Sequence, residues 1–138
     1  APGRTSLAKG ELITSIFLPP RPERASDAYL RFTPRTEMDI AVSSAAVSLC
    51  LGVDGIISDA QVALGAVAPT VLKACSAASA IIGTKLDDSA LKTLAAAVRA
   101  ICTPIDDKRG TAEFRTRTAG VLAQRAAKIA YQRAQEKE

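Results

Sequence analysis

Hydrophobic and polar positions alternate with a period of two up to about Pro69 and recur every three to four residues after Thr70. Over residues 11–18, Leu12, Thr14, Ile16 and Leu18 share one side of an extended segment, and Ile13, Ser15 and Phe17 the other. This predicts a first strand with apolar groups on both faces, stopped by Pro19-Pro20. Residues 19–27 are proline-rich and polar and predict a loop. A second strand over 28–33 turns Leu30 and Phe32 inward and Arg31 outward. Pro34 ends it, because proline lacks an N–H and biases Thr33 towards an extended conformation.

From Ile40 the chain runs almost without charge to Gly52, and Asp54-Gly55 separates this run from a second one over 56–64. Asp-Gly between two strand-compatible runs predicts a tight hairpin, since glycine adopts the positive φ the turn needs. Val42 and Val47 favour a strand over a helix for the first arm. The stretch from Gln61 to Pro69 continues that strand or pairs with a further one, with Gly65 marking a bulge or a close backbone approach and Pro69 an end.

Helical signals follow. An Ala/Ser-rich short helix is predicted over 73–82, stopped by Gly83-Thr84. Asp87-Asp88-Ser89 offers caps for a helix over 89–102 that buries Leu91, Leu94, Ala95 and Val98, and Pro104 ends it. After a charged turn over 105–110, a long amphipathic helix is predicted over 111–136. Phe114, Thr118, Val121, Leu122, Ala126, Ile129 and Ala130 line its inner side, and Arg115, Arg117, Gln124, Lys128 and Gln132 its outer side. Strands first and helices second predict an α+β fold: an antiparallel β-sheet covered on one face by about three helices.

At 138 residues the chain is the size of one domain. With 4% aromatic residues and no Trp, its core must be built from small side chains. The net charge of +4 is spread among interleaved acids and bases, which predicts a moderately basic surface and no nucleic-acid partner. Cys50, Cys75 and Cys102 are odd in number, far apart and set in apolar contexts, so free buried thiols in a reducing, cytoplasmic compartment are expected. The absence of His excludes imidazole metal sites and His-based triads. No apolar stretch approaches the ~18 residues of a spanning helix, so no membrane span is predicted.

Stand-alone catalytic motifs are missing. Gly83-Thr84-Lys85 lacks the upstream glycine and Gly-Lys pair of a phosphate loop. Asp87-Asp88 and Asp106-Asp107 read as helix caps and solvated turns. The one concentration of charge beside an apolar wall is Arg31, Arg35, Glu37 and Asp39, between a short aromatic strand and a run of small apolar residues. Residue types alone leave two readings open: a local Arg35–Asp39 ion pair that fixes a turn, or a functional loop.

The order and spacing of several motifs extend the picture. Gly10-Glu11-Leu12-Ile13 leads to Leu18-Pro19. Tyr29-Leu-Arg-Phe, Arg35-x-x-x-Asp39-Ile-Ala, Gly55-Ile56-Ile57 and Val62-Ala-Leu-Gly-Ala-Val-Ala-Pro-Thr70 follow, then Pro104-x-Asp106-x-x-Arg109-Gly-Thr-Ala-x-Phe114-Arg115. From about Arg4 to Ala134 the chain resembles the C-terminal domain of the FAD-binding (medium) subunit of molybdenum hydroxylases, the carbon monoxide dehydrogenase and xanthine dehydrogenase family. Two positions depart from it: Phe114 stands where Tyr is usual and Lys73 where Arg is usual.

The resemblance implies that residues 1–10 are a linker from an upstream flavin-binding half and residues 11–138 the C-terminal-like domain. It implies FAD bound only together with that half, and molybdenum cofactor and iron–sulfur clusters on partner subunits. It also implies that the loop from Arg31 to Ile40 borders the isoalloxazine ring, with Arg31, Arg35, Asp39 and Ile40 as the cofactor-binding residues and Arg31 in the place of a lysine that contacts the ring. The expected role is to complete the flavin pocket and dock to partner subunits for electron transfer; the alternative is an interaction or assembly module that keeps the fold without flavin. The isolated domain is not expected to be an active enzyme.

Overall fold

The Asp54-Gly55 turn forms as its residue types require. Gly55 has φ +76°, the Asp54 carboxylate accepts the Ile56 N–H at 3.0 Å, and the Gly52 N–H donates to the Ile56 carbonyl at 2.8 Å. The computed structural model describes residues 2–36 and 39–137. Four strands, β1 (Ala25–Phe32), β2 (Ser43–Leu51), β3 (Ile57–Gly65) and β4 (Leu72–Lys73), precede three helices, α1 (Cys75–Ser79), α2 (Asp88–Ile101) and α3 (Ala112–Gln135).

The strands form one antiparallel meander in the order β1-β2-β3-β4. Val47 of β2 lies opposite Ala28 of β1 and Val62 of β3, and the register shifts between Cys50 and Leu51. Gly65 is a close approach: a Cβ there would lie 2.5 Å from the Ser44 hydroxyl. The helices cover one face only. Val47, Leu49, Val62 and Leu64 from the sheet share one buried core with an alanine face of α3 that includes Ala119, Ala123, Ala126 and Ala130, and with Leu94 and Val98 of α2, which packs on α3 and α1.

Alanine keeps α3 close to its neighbours, and the crossing with α2 is tight at Gly120, where a Cβ would stand 3.3 Å from the Ala95 carbonyl oxygen. Both long helices are capped by side chains. The Asp87 carboxylate accepts the Ala90 N–H at 2.8 Å, and the Thr111 hydroxyl accepts the Phe114 N–H at 3.1 Å.

Several expectations need correction. Residues 11–18 form no strand; they are irregular and exposed. Lys137 and Arg133 donate to the outer carbonyls of β1 at Ala25 and Asp27, each at 3.0 Å, and β4 is only two residues long. β1 begins three residues before the predicted start, and α1 is five residues long because Leu72 and Lys73 pair with β3.

In α3 the buried face is the alanine face, so Phe114 and Val121 lie partly exposed and Arg115, predicted to face solvent, is buried. All three cysteines are free, but Cys75 is exposed, on a helix too short to hide it. Cys50 and Cys102 are partly buried, and burial pushes the Cys102 thiol up.

Candidate functional site

The loop between β1 and β2 is closed at its base by the Val42 N–H, which donates to the Phe32 carbonyl at 2.8 Å, and tightened by the Thr33 hydroxyl donating to the Arg35 carbonyl at 2.7 Å. Two consecutive residues then part company. Asp39 turns inward, its side chain 4% exposed, while Ile40 turns outward and is 64% exposed.

Asp39 is held from three directions. It accepts the Ile40 N–H at 2.8 Å, Arg109 Nε at 3.3 Å and Arg35 Nε at 3.3 Å. Arg109 also faces the Asp107 carboxylate at 3.7 Å, and Asp107 accepts the Arg109 N–H at 2.8 Å and Arg115 Nη2 at 2.6 Å. Buried Arg115 closes the chain by donating Nη1 to the Val42 carbonyl at 2.8 Å. Alternating guanidinium and carboxylate groups therefore tie together the β1–β2 loop, the turn before α3, and the first turn of α3. Phe32 and Phe114 pack edge to face beside this seam, centroids 5.9 Å apart.

Burial acts to raise the Asp39 carboxyl, but the Ile40 N–H, Arg109 and Arg35 outweigh it and hold the group below its ordinary value. The Arg109 N–H and then the Arg115 guanidinium lower the Asp107 carboxyl, more than its partial desolvation raises it. Both groups are thus held as carboxylates. Three guanidinium groups against two carboxylates leave the cluster with one excess positive charge.

Ile40 stands at the rim of a groove of about 410 Å³ that Ala41, Ala66, Pro69, Ile105 and Arg115 also line. Ala66 holds the left-handed conformation, φ +62°, at the end of β3. The groove therefore combines an apolar rim with the Asp107–Arg115 ion pair, both of whose members line it.

Of the four residues singled out in the sequence, the structure brings Arg35, Asp39 and Ile40 together. Arg31 lies apart, exposed on β1 opposite Ser44, and makes no hydrogen bond or ion pair among the described residues. Glu37 falls outside the described residues. The local Arg35–Asp39 ion pair exists, but Asp39 also bonds Arg109, seventy positions away in sequence. Sequence reasoning missed Asp107, Arg109 and Arg115 as parts of the site. Their one signal was the run from Asp106 to Arg115, which local chemistry reads as a cap and a solvated face.

Among the described residues no group of three or more acidic or cysteine side chains could hold a metal ion, and no helix is long and apolar enough to cross a membrane.

Comparison with known proteins places this geometry. The pattern of the family described as the CO dehydrogenase flavoprotein C-terminal domain matches residues 14–130. The carbon monoxide dehydrogenase medium chain of Afipia carboxidovorans is 39% identical over 130 residues, which are 94% of this chain and 44% of that one. A xanthine dehydrogenase FAD-binding subunit of Escherichia coli is 28% identical over 115 residues, 83% of this chain and 39% of the relative. Among solved structures, reconstituted CO dehydrogenase from Oligotropha carboxidovorans superposes with a TM-score of 0.79 at 37% identity, covering 84% of this chain and 40% of that one. The chain spans less than half the length of these relatives. With a family pattern covering most of its residues and a sheet and helices that superpose on those of a solved relative, the chain belongs to the CO dehydrogenase flavoprotein C-terminal domain family.

Proposed function

We propose that this domain completes the flavin pocket of the FAD-binding medium subunit of a molybdenum hydroxylase and docks that subunit to its partners. The observation that carries the reading is the split between Asp39 and Ile40: a buried, triply held carboxylate fixes the backbone so that an exposed apolar side chain faces the groove.

The residues present fit one side of a flavin. An apolar rim of Ile40, Ala41 and Ile105 suits the flat face of a tricyclic ring and keeps water from it. The excess positive charge of the Arg35–Asp39–Arg109–Asp107–Arg115 chain suits the anionic edge of a reduced ring. Arg35 and Asp39 act through the loop backbone, Ile40 borders the ring, and Arg31 supplies a second cation from the neighbouring strand. A bound flavin relays electrons between iron–sulfur clusters and an external acceptor. The iron–sulfur clusters and the molybdenum cofactor belong to partner subunits, where the hydroxylase substrate is handled. Residues 1–10 serve as the linker from the flavin-binding half, 11–138 form the docking and pocket-completing domain, and three free thiols fit a cytoplasmic site of action.

The test is a flavin titration of the chain alone and after mixing with a flavin-binding half, followed by flavin fluorescence. Binding is expected only in the mixture. In the same mixture, Arg31→Ala is expected to leave the domain's melting unchanged and to alter flavin affinity or reduction rate. Equal flavin binding with and without this chain would sink the proposal in favour of an assembly module that has kept the fold.

A further inference from the structure

Ser44 is only 6% exposed, although it lies on the side of the sheet that no helix covers. Its neighbours Ser43 and Ala45 point to the buried core, so the Ser44 side chain points the other way. The hydroxyl, which finds no hydrogen-bond partner among the described residues, stands over Gly65, where a Cβ would lie 2.5 Å from it. Gly65 does not hold a positive φ, so this close approach alone accounts for its missing side chain.

Ser44 is also the register partner of Arg31 on β1. Residues paired directly across strands point to the same face. A cation, a hydroxyl and a bare backbone therefore stand in one row across three strands, at Arg31, Ser44 and Gly65. A nearly buried hydroxyl that forgoes its hydrogen bond costs about 1 kcal/mol or more. An acceptor atom held between it and the Arg31 guanidinium recovers that cost.

The row adjoins the groove beside Ile40. Ala66, next to Gly65, leaves the sheet with φ +62° and lines the groove together with Ile40 and Ala41. An apolar rim thus passes into a short polar notch at the end of β3. The notch does not suit a phosphate, because phosphate sites draw on several free backbone N–H groups and the strands carrying Ser44 and Gly65 are paired in the sheet. One cation and one hydroxyl suit a carbonyl oxygen on a planar edge that gains negative charge.

We propose that Ser44 is a cofactor-binding residue of the flavin site, donating its hydroxyl to the C2 carbonyl at the pyrimidine end of the ring in the space that Gly65 leaves open. The proposal rests on the functional reading above. Arg31 faces the same edge, and Ile40 takes the apolar benzenoid end. A site with one polar and one apolar end thereby fixes which way round the ring lies.

The experiment uses the whole 138-residue chain, mixed with the N-terminal portion of the Afipia carboxidovorans medium chain that precedes the matching residues. Flavin affinity, the visible absorption of the bound flavin and the melting of the chain are read on the same samples. Ser44→Ala is expected to weaken FAD binding about fivefold and to shift its absorption. Its melting should be no lower than the wild type's, because no bond within the described chain is lost. Gly65→Ala drives a methyl group against the Ser44 hydroxyl and should lower both melting and affinity. Ser44→Ala combined with Gly65→Ala removes that clash, so melting should recover and affinity should not. With 2-thio-FAD, which carries a poor sulfur acceptor at C2, wild type and Ser44→Ala should bind alike.

Unchanged FAD affinity and absorption for Ser44→Ala, or affinity that recovers along with melting in the double variant, would overturn the proposal. Ser44 and Gly65 would then be packing partners only, with the flavin reading left standing. An equal loss with 2-thio-FAD would overturn the contact to the carbonyl. Inorganic phosphate shifting the Ser44 and Gly65 amide resonances of the chain alone would overturn it in favour of an anion site. A wild-type mixture that binds no flavin would sink the functional reading and this proposal with it, an outcome seen before any variant is compared.

Discussion

The two ends of α3 hold the same sheet by different chemistry. At the C-terminal end the ties run from side chains to backbone carbonyls: the Tyr131 hydroxyl donates to Gly55 at 2.7 Å, Arg133 to Asp27 and Lys137 to Ala25. At the N-terminal end the ties run through charges, from Arg115 and Arg109 to Asp107 and Asp39, and only Arg115 also reaches the sheet backbone, at Val42 and at 2.8 Å. The first kind fixes the helix on the sheet through neutral carbonyl acceptors. The second fixes a loop whose exposed residue, Ile40, faces the proposed cofactor, and it depends on carboxylates remaining ionised. Stability is thus spread along the helix, while the site is concentrated at one end.

The sharpest break of this contrast is Arg115→Met. It removes a buried guanidinium, leaves Asp107 with Arg109 alone and takes the side-chain donor from the Val42 carbonyl, so a loss of about 3 kcal/mol is expected in urea unfolding. A loss below about 1 kcal/mol would show that the charged end contributes no more than the neutral one. Tyr131→Phe deletes one hydroxyl-to-carbonyl bond at the other end. About 1 kcal/mol should be lost there, with no change in the dependence of stability on pH.

Acid should separate the two ends further. Asp39 and Asp107 both have folded pKa values below the ordinary 3.8, so their contribution is fully present above that pH and is lost as pH falls through the folded values. Urea midpoints measured from pH 7 down to pH 3 should hold steady and then fall below about pH 4, and the loop amides of 39–42 should lose exchange protection before those of α3. Arg35→Ala is the smallest expected effect. The arginine side chain is largely exposed, and its ion pair should contribute less than about 0.5 kcal/mol. A larger effect would mean that the loop is clamped from its exposed side and not from Arg109.

Much of this architecture is carried by local chemistry. The Asp54-Gly55 hairpin, the Asp87 and Thr111 caps, and the buried stripe of Leu91, Leu94, Ala95 and Val98 follow from turn preferences and a period near 3.6, which neighbouring residues settle among themselves. The inner face of α3 does not follow. Its larger residues, Phe114 and Val121, suggest one side, but the helix packs through alanines, because closeness to the sheet buries more than bulk at a distance. Arg115 illustrates the same limit. On a helix wheel it reads as solvated, and only the proximity of Asp107 and the Val42 carbonyl makes its burial tolerable.

The sequence by itself determined the strands that became β1 to β3, the three helices that follow them, the turn chemistry between them and the family. Each of these depends on residues close together in the chain or on their spacing. Only the tertiary structure decided that Asp39 faces inward to Arg109 and Ile40 outward, and that residues 11–18 find no neighbour here. Pairing across seventy positions and the side-chain ties from Arg133 and Lys137 to the edge of β1 are properties of the packed chain, set by which groups the fold brings within hydrogen-bond distance.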